Sequence, residues 1–295
     1  SLHDALPIYS NILNAGVYEG KRYYLPVVFE PQILLTSSVE FSKYSDDNAE
    51  SKLTYDGVVT LNNNILKDRT NNRFFYDSED YKRILLNYID EHVDLYSQKC
   101  NFDSENFMES ITSLKEFCNS NENKTDEIVP IFSVSGQYEL FALYDEIAAI
   151  DNDGDKPLIT NMPNQDGAPI GKIMDAIFIN NNSNNKQKIL KFIKYALSEK
   201  VQSDYCGANI KNYEPGTSWG TGWEYPVNNQ SYDSLFNKAQ AVKYIDNTTS
   251  VSESDFMYAK NYIDKIKEYK LCGLYDYYNT EVIGSTVDKF LSGEF

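Results

Sequence analysis

The chain is 295 residues long, with 41% apolar and 14% aromatic residues, enough to bury real cores and to form two domains. Its formal net charge of −17 argues against nucleic acid or an anionic membrane surface as a partner, and no stretch approaches the roughly 18 apolar residues that a membrane-spanning helix requires. Cys100, Cys118, Cys206 and Cys272 show no C-x-x-C spacing, so buried thiols are expected rather than metal or redox chemistry, with a Cys100–Cys118 disulfide open in an oxidising compartment.

The first eight residues, SLHDALPI, match one reading frame of a sequencing-adapter oligonucleotide and are set aside from fold reasoning. Residue 9 is then expected to be an internal position of a longer protein, and the ending FLSGEF reads as a second cut. Residues 9–13 suggest the end of a helix and YEGKR at 18–22 a turn. Residues 23–36, YYLPVVFEPQILLT, are the most apolar run of the first quarter. Pro26 and Pro31 split that run into two extended pieces and argue against a central strand.

Residues 37–51 are polar and acidic, and residues 55–66 follow. Over residues 79–96, Tyr81, Ile84, Leu85, Tyr88, His92 and Leu95 keep helical spacing with acids between them, which predicts an amphipathic helix. With His3 set aside, His92 is the sole imidazole and is expected to be structural, since one histidine completes neither a metal site nor a Ser-His-Asp arrangement. Residues 104–118 predict a helix capped by Asp103 or Ser104. A strand at 128–134, a helix at 136–150 and a strand at 156–162 read as a β-α-β unit, whose sheet would bind ligands at strand C-terminal ends beside helix N-termini. Ser133, Ser135, Gln137 and Tyr138 would lie at that mouth. The DNDGD run at 151–155 offers alternating oxygens but lacks the later Gly and Glu of a calcium loop, so a polar turn is the better account.

Residues 156–162 and 172–180 are apolar runs flanking the PNQDG turn, and Ile189, Leu190, Ile193, Ala196, Leu197 and Val201 recur at helical spacing behind Ser183 as candidate cap, predicting one helix over 186–202 with a single buried face. Residues 205–229 form a Gly-rich loop holding Trp219 and Trp223, rings costly to leave in water, which either pack under the loop or face a ligand. Residues 255–270 and 280–291 predict further helices. The 24 tyrosines, against 15 Phe, suit both packing and sugar-stacking clefts, since each offers an apolar ring with a polar tip.

The order of apolar strand, Pro, DG turn, strand ending in Asn, Ser-Asn-Asn-Lys and a helix with F-I-K-Y-x-L-S-E over residues 156–202 resembles the extracellular solute-binding proteins of ABC importers, the family that includes maltose-binding proteins. The G-K-x-Y-x-L-P step at 20–26 and the Y-P-V-N step at 225–228 fit the same pattern, and the resemblance covers nearly all of residues 21–293. It implies an α/β, two-lobed, periplasmic-binding-protein-like (type 2) fold with a hinge. Lobe one would comprise residues 9–35 and 165–229, and lobe two residues 36–162 and 230–295. Family members begin lobe one with strands and helices that this sequence lacks, so lobe one is expected to be incomplete, with an exposed apolar patch near residues 20–36 and 172–195.

In sugar-binding relatives an acidic acceptor for a sugar hydroxyl stands where Glu30 stands here, the alternative being a solvated loop carboxylate. Tyr138 takes the place of an aromatic that stacks on a pyranose ring. Ser135, Trp219 or Trp223, and Tyr277 and Tyr278 from lobe two are the other candidates. The resemblance implies an extracellular, lipid-anchored, monomeric protein that captures a small solute, an oligosaccharide by family analogy, and delivers it to ABC-importer permease subunits without catalytic residues, cofactor or metal. Two alternatives stay open: a secreted glycosidase using paired carboxylates, though no motif singles out a pair among 44 Asp and Glu, and a carbohydrate-binding surface module outside transport.

Overall fold

The computed structural model describes residues 8–45, 52–68, 71–94, 97–120, 128–134, 139–180, 182–206, 225–244, 249–271 and 283–294. The chain divides into two compact units. Unit 1 is Ser1–Ile33, Ser135–Ile159 and Pro169–Leu271, and unit 2 is Leu34–Val134, Thr160–Ala168 and Cys272–Phe295. Residues 135–159 and 230–271 thus fall in unit 1, where the sequence reading had placed them in lobe two.

The first half of the chain runs α1 (Ser10–Asn14), β1 (Val17–Tyr18), β2 (Lys21–Arg22), β3 (Tyr24–Pro31), β4 (Ile33–Ser37), α2 (Ser38–Ser42), α3 (Tyr55–Lys67), β5 (Asn72–Arg73), α4 (Ser78–Glu91), β6 (Val93–Asp94), β7 (Lys99–Cys100), α5 (Glu105–Asn119) and β8 (Val129–Pro130). The second half runs α6 (Leu140–Asn152), β9 (Pro157–Asn161), β10 (Ile170–Phe178), α7 (Lys186–Ala196), α8 (Glu199–Tyr205), β11 (Tyr225–Pro226), α9 (Asn229–Ala241), α10 (Glu253–Asp264), β12 (Glu268–Leu271) and α11 (Ile283–Ser292).

Unit 1 is built on a four-stranded sheet of order β11-β3-β10-β12. β3 pairs antiparallel with β10 and β11, and β10 pairs parallel with β12. The expectation that Pro26 and Pro31 exclude β3 from the middle of a sheet is corrected: β3 is an interior strand. β11 touches it only at Val28 and Phe29, so neither proline faces a β11 partner. The β10 register shifts around Asp175, next to the Ala176–Pro26 pairing, where an irregular ladder tolerates a missing N–H.

The helix predicted over 186–202 is two helices, broken at Leu197 and Ser198 because Ser198 adopts an extended backbone (φ −71°, ψ 151°) and starts α8. Asn185, not Ser183, occupies the cap position of α7, and the Ser183 hydroxyl accepts from the Asn185 N–H at 3.2 Å. α7 buries Ile193 but leaves Leu190, Phe192 and Tyr195 exposed, the last two at 59% and 66%, and Phe178 and Ile179 at the end of β10 are exposed as well. Exposed apolar side chains therefore occur within 178–195, whereas β3 and most of β4 are covered. Ile8, the last of the residues set aside as adapter-like, is buried and bridges Asn228.

α6 belongs to unit 1 because its core face packs there: Tyr144 stacks on Phe256 at 4.8 Å and its hydroxyl donates to the Phe256 carbonyl at 3.1 Å. The predicted β-α-β unit does not form. β8 pairs with β5 and β9 with β4, while Ser133 exchanges backbone hydrogen bonds with Leu35. The DNDGD segment ends α6, with Asp153 as its C-cap and Gly154 at φ 81°, a left-handed position that glycine adopts without penalty.

Unit 2 packs α3, α4 and α5 around an aromatic core in which Phe74 stacks on Phe132 at 4.5 Å and meets Phe117 edge-on at 5.4 Å. Thr54 and Ser104 cap α3 and α5 through their hydroxyls, accepting from Gly57 N–H and Phe107 N–H. α4 stops at Glu91, short of the predicted end at 96, with His92 as C-cap. The His92 ring packs 4.5 Å from Tyr88 and 4.9 Å from Phe107, the structural role expected of it. Cys100 and Cys118 are free thiols, so no disulfide joins them; Cys100 is exposed, and burial pushes the Cys118 thiol up to about 12.

Candidate ligand-binding site

Of the residues expected at a ligand, the structure describes Glu30 and Ser133, the latter bonded through its backbone to Leu35, while Gln137 lies outside the described residues. Ser135, Tyr138, Trp219, Trp223, Tyr277 and Tyr278 lie outside the described residues. Glu30 sits on β3, a strand buried on both faces, and is only 7% exposed, so it is no solvated loop carboxylate. A carboxylate in that setting must be compensated, since taking an ionised group out of water without partners is very costly. The register sets it directly opposite Lys172 on β10, which is itself buried.

Tyr225 links Glu30 to a second carboxylate, Glu139, since the charges of both act on its phenol. Tyr225 of β11 is fully buried and pairs with Phe29, the residue before Glu30, their rings 5.5 Å apart. Burial first, then the charges of Glu30 and Glu139, hold the Tyr225 phenol well above its ordinary pKa. Glu139 stands at the N-cap position of α6 and is buried. Unit 1 therefore gathers two carboxylates, one phenol and one ammonium. Acceptors and donors of this kind suit hydroxyl groups, which both give and take hydrogen bonds.

The segment carrying Tyr225 is held by side-chain hydrogen bonds rather than by a long strand. Gln202 Oε1 accepts from Val227 N–H at 3.0 Å and Asn228 N–H at 3.3 Å. Asn228 donates to the Leu197 carbonyl at 2.9 Å and caps α9 by accepting from Gln230 N–H and Ser231 N–H. On the far side of β10, Gly171 gives Tyr269 of β12 room to approach: a Cβ there would lie 2.5 Å from the ring. Tyr269 in turn meets Phe29 edge-on at 5.2 Å.

Sequence reasoning missed Glu139, Lys172 and Tyr225 as site residues. Tyr225 was in view within the Y-P-V-N step, and Glu139 follows Tyr138 directly. Lys172 gave no signal, because its pairing with Glu30 depends on a register that spans more than a hundred residues of chain.

No protein-family model and no curated protein matches the chain. Solved structures do. The sugar-binding protein MalE from the phytopathogen Xanthomonas citri matches 98% of this chain and 70% of its own, with a TM-score of 0.57 at 13% identity. The cyclic alpha-maltosyl-1,6-maltose binding protein from Arthrobacter globiformis matches 100% of this chain and 75% of its own, with a TM-score of 0.52 at 12% identity. A putative oligosaccharide periplasmic-binding protein from Synechococcus sp. MITs9220 matches 98% and 72%, with a TM-score of 0.52 at 11% identity. At such identities the likeness speaks to fold. The chain has the α/β, two-lobed fold of the periplasmic sugar-binding proteins, and these neighbours are described as binding proteins rather than enzymes. Among the described residues no helix is long and apolar enough to cross a membrane.

Proposed function

We propose that the chain is an extracellular substrate-binding protein that captures a small solute, with oligosaccharides as the ligand class, and delivers it to the permease subunits of an ABC importer. The observation that carries this reading is the fold shared with proteins described as binding sugars. Glu30, opposite Lys172 in the β3–β10 register and close enough for its charge to act on Tyr225, takes the role of acceptor for a ligand hydroxyl. Ser135, Tyr138, Trp219, Trp223, Tyr277 and Tyr278 complete the proposed site. The protein acts as a monomer, tethered outside the cell by a lipid anchor.

The test is thermal melting against a panel of mono- and oligosaccharides, amino acids and peptides. A ligand that binds only the native state raises the melting temperature by mass action, worth about 2.7 kcal/mol at a hundredfold excess over Kd. One sugar is expected to give a saturable shift, and Glu30→Gln, which keeps the shape of the side chain, to weaken its affinity by about tenfold, or about 1.4 kcal/mol. Amino acids or peptides shifting the protein while no sugar does would overturn the ligand class. A second reading rests on the two buried carboxylates Glu30 and Glu139, which both act on the Tyr225 phenol. If they serve a glycosidase, the glycan is consumed during incubation and the shift does not last.

A further inference from the structure

α7 carries a local charge opposite to that of the chain. Residues 186–200, KQKILKFIKYALSEK, hold five lysines and one acid, Glu199, within a protein whose net charge is −17. Among the described residues, none of Lys186, Lys188, Lys191, Lys194 and Lys200 takes part in an ion pair. The helix also opens against its own dipole. Asn185 makes no side-chain cap and the first turn has no acid, so Lys186 and Lys188 stand at a helix end that favours anions.

The uncovered face is not purely cationic. Lys188, Lys191, Phe192 and Tyr195 are spaced i, i+3, i+4 and i+7, which puts them on one side of the helix, and all four are exposed. Ile193 and Leu197 turn the other way and are buried. Aromatic rings held in water among ammonium groups add nothing to the core of unit 1. A soluble polyanion would satisfy the lysines and leave the rings wet. The headgroup layer of an anionic bilayer takes both: phosphates meet the ammonium groups, and the rings reach the acyl boundary while the lysine stems lie along apolar surface. Net charge argues against such a partner for the chain as a whole, but at about 0.15 M salt the screening length is about 8 Å, so a helix lying on a membrane responds first to its own lysines.

We propose that α7 is a peripheral contact for anionic lipid, with Lys188 and Lys191 on headgroup phosphates and Phe192 and Tyr195 inserted at the interface. The contact goes beyond the ligand reading and does not depend on the site around Glu30.

The test is co-sedimentation of the 295-residue chain with vesicles of phosphatidylcholine and phosphatidylglycerol, and with vesicles of phosphatidylcholine alone, at about 0.15 M salt. Binding to the anionic vesicles is expected, about tenfold or more tighter than to the neutral ones. Lys188→Gln with Lys191→Gln should weaken it about tenfold or more, and Phe192→Ser with Tyr195→Ser about fivefold or more. Lys67→Gln with Lys99→Gln removes the same charge from exposed positions in unit 2 and should leave binding unchanged. No binding to the anionic vesicles, or equal weakening by both lysine pairs, would overturn the proposal. So would weakening by the α7 lysine variant but not by the aromatic one, which would mark a site for a soluble polyanion. Sedimentation velocity without lipid tests the other occupant of such a face. A dimer that Phe192→Ser with Tyr195→Ser returns to monomer would assign the face to a second copy of the chain and overturn the lipid contact.

Discussion

Asp151 and Asp255 bring two carboxyl groups together at the end of α6. Burial raises the Asp151 pKa first, and the hydrogen bond and charge of Asp255 raise it further, against the opposing pull of the Ser252 backbone and Lys156. A pKa above its unfolded value means the folded protein holds that proton more tightly. The stabilisation is therefore present in acid, below the ordinary aspartate value of about 3.9, and is lost as pH rises through the raised value. The charge of Asp255 disfavours the ionised form of Asp151. Asp151→Asn keeps a hydrogen-bond donor toward Asp255 and removes the repulsion. It is expected to raise the melting temperature at pH 7 by about 1–2 °C, as a surface charge effect of about 0.5 kcal/mol would. The gain should shrink toward zero as pH falls to about 4, and melts of both proteins across that range check it. The same residue scale shows what sequence withholds. Glu30 was legible because a family pattern pointed at it, but its burial and its opposition to Lys172 come from the β3–β10 register.

At the scale of elements, α7 separates residues that share a hydropathy pattern but not a role. Ile193 is 1% exposed, whereas its neighbour Phe192 lies in solvent. Ile193→Ala should cost about 2–5 kcal/mol through the methyls and cavity it leaves, and Phe192→Ser should stay within about 0.5 kcal/mol. Urea denaturation of the two variants measures both, and equal losses would mean that Phe192 is covered in solution. Periodicity read the elements well where one helix face meets one core. It narrowed the α5 cap to Asp103 or Ser104, of which Ser104 takes the place, and kept α4 in phase from Tyr81 to Tyr88. It failed where a neighbour decides. The break at Ser198 follows from a local backbone turn within a run whose apolar spacing never falters. The interior place of β3 follows from a β11 too short to reach either proline. The β-α-β reading assumed that successive strands pair, whereas β8 and β9 each pair elsewhere, and α6 packs on Phe256 in unit 1.

For the molecule as a whole, charge is the term that local packing does not decide. A net charge of −17 on 295 residues disfavours any compact state through self-repulsion. Among the described residues, Lys156 reaches the buried Asp255 at 3.9 Å, but several other ion pairs that could offset this repulsion are peripheral. In Lys43–Glu40, Lys260–Asp264 and Lys270–Glu268 the carboxylate is exposed, and Lys82–Asp288 at 2.6 Å has an exposed aspartate. Pairs of this kind contribute about 0–1 kcal/mol each and lose part of that in salt. Repulsion among unpaired carboxylates acts over longer distances, and raising salt from about 0.01 M to about 0.15 M shortens the screening length from about 30 Å to about 8 Å, which removes most of it. The two effects oppose each other, and with an excess of 17 negative charges the repulsive one should win. The melting temperature is therefore expected to rise over that range of sodium chloride at pH 7, and to rise less near pH 4.5, where the sequence is close to neutral. A melting temperature that falls with salt at pH 7 would show that the specific pairs outweigh the net charge.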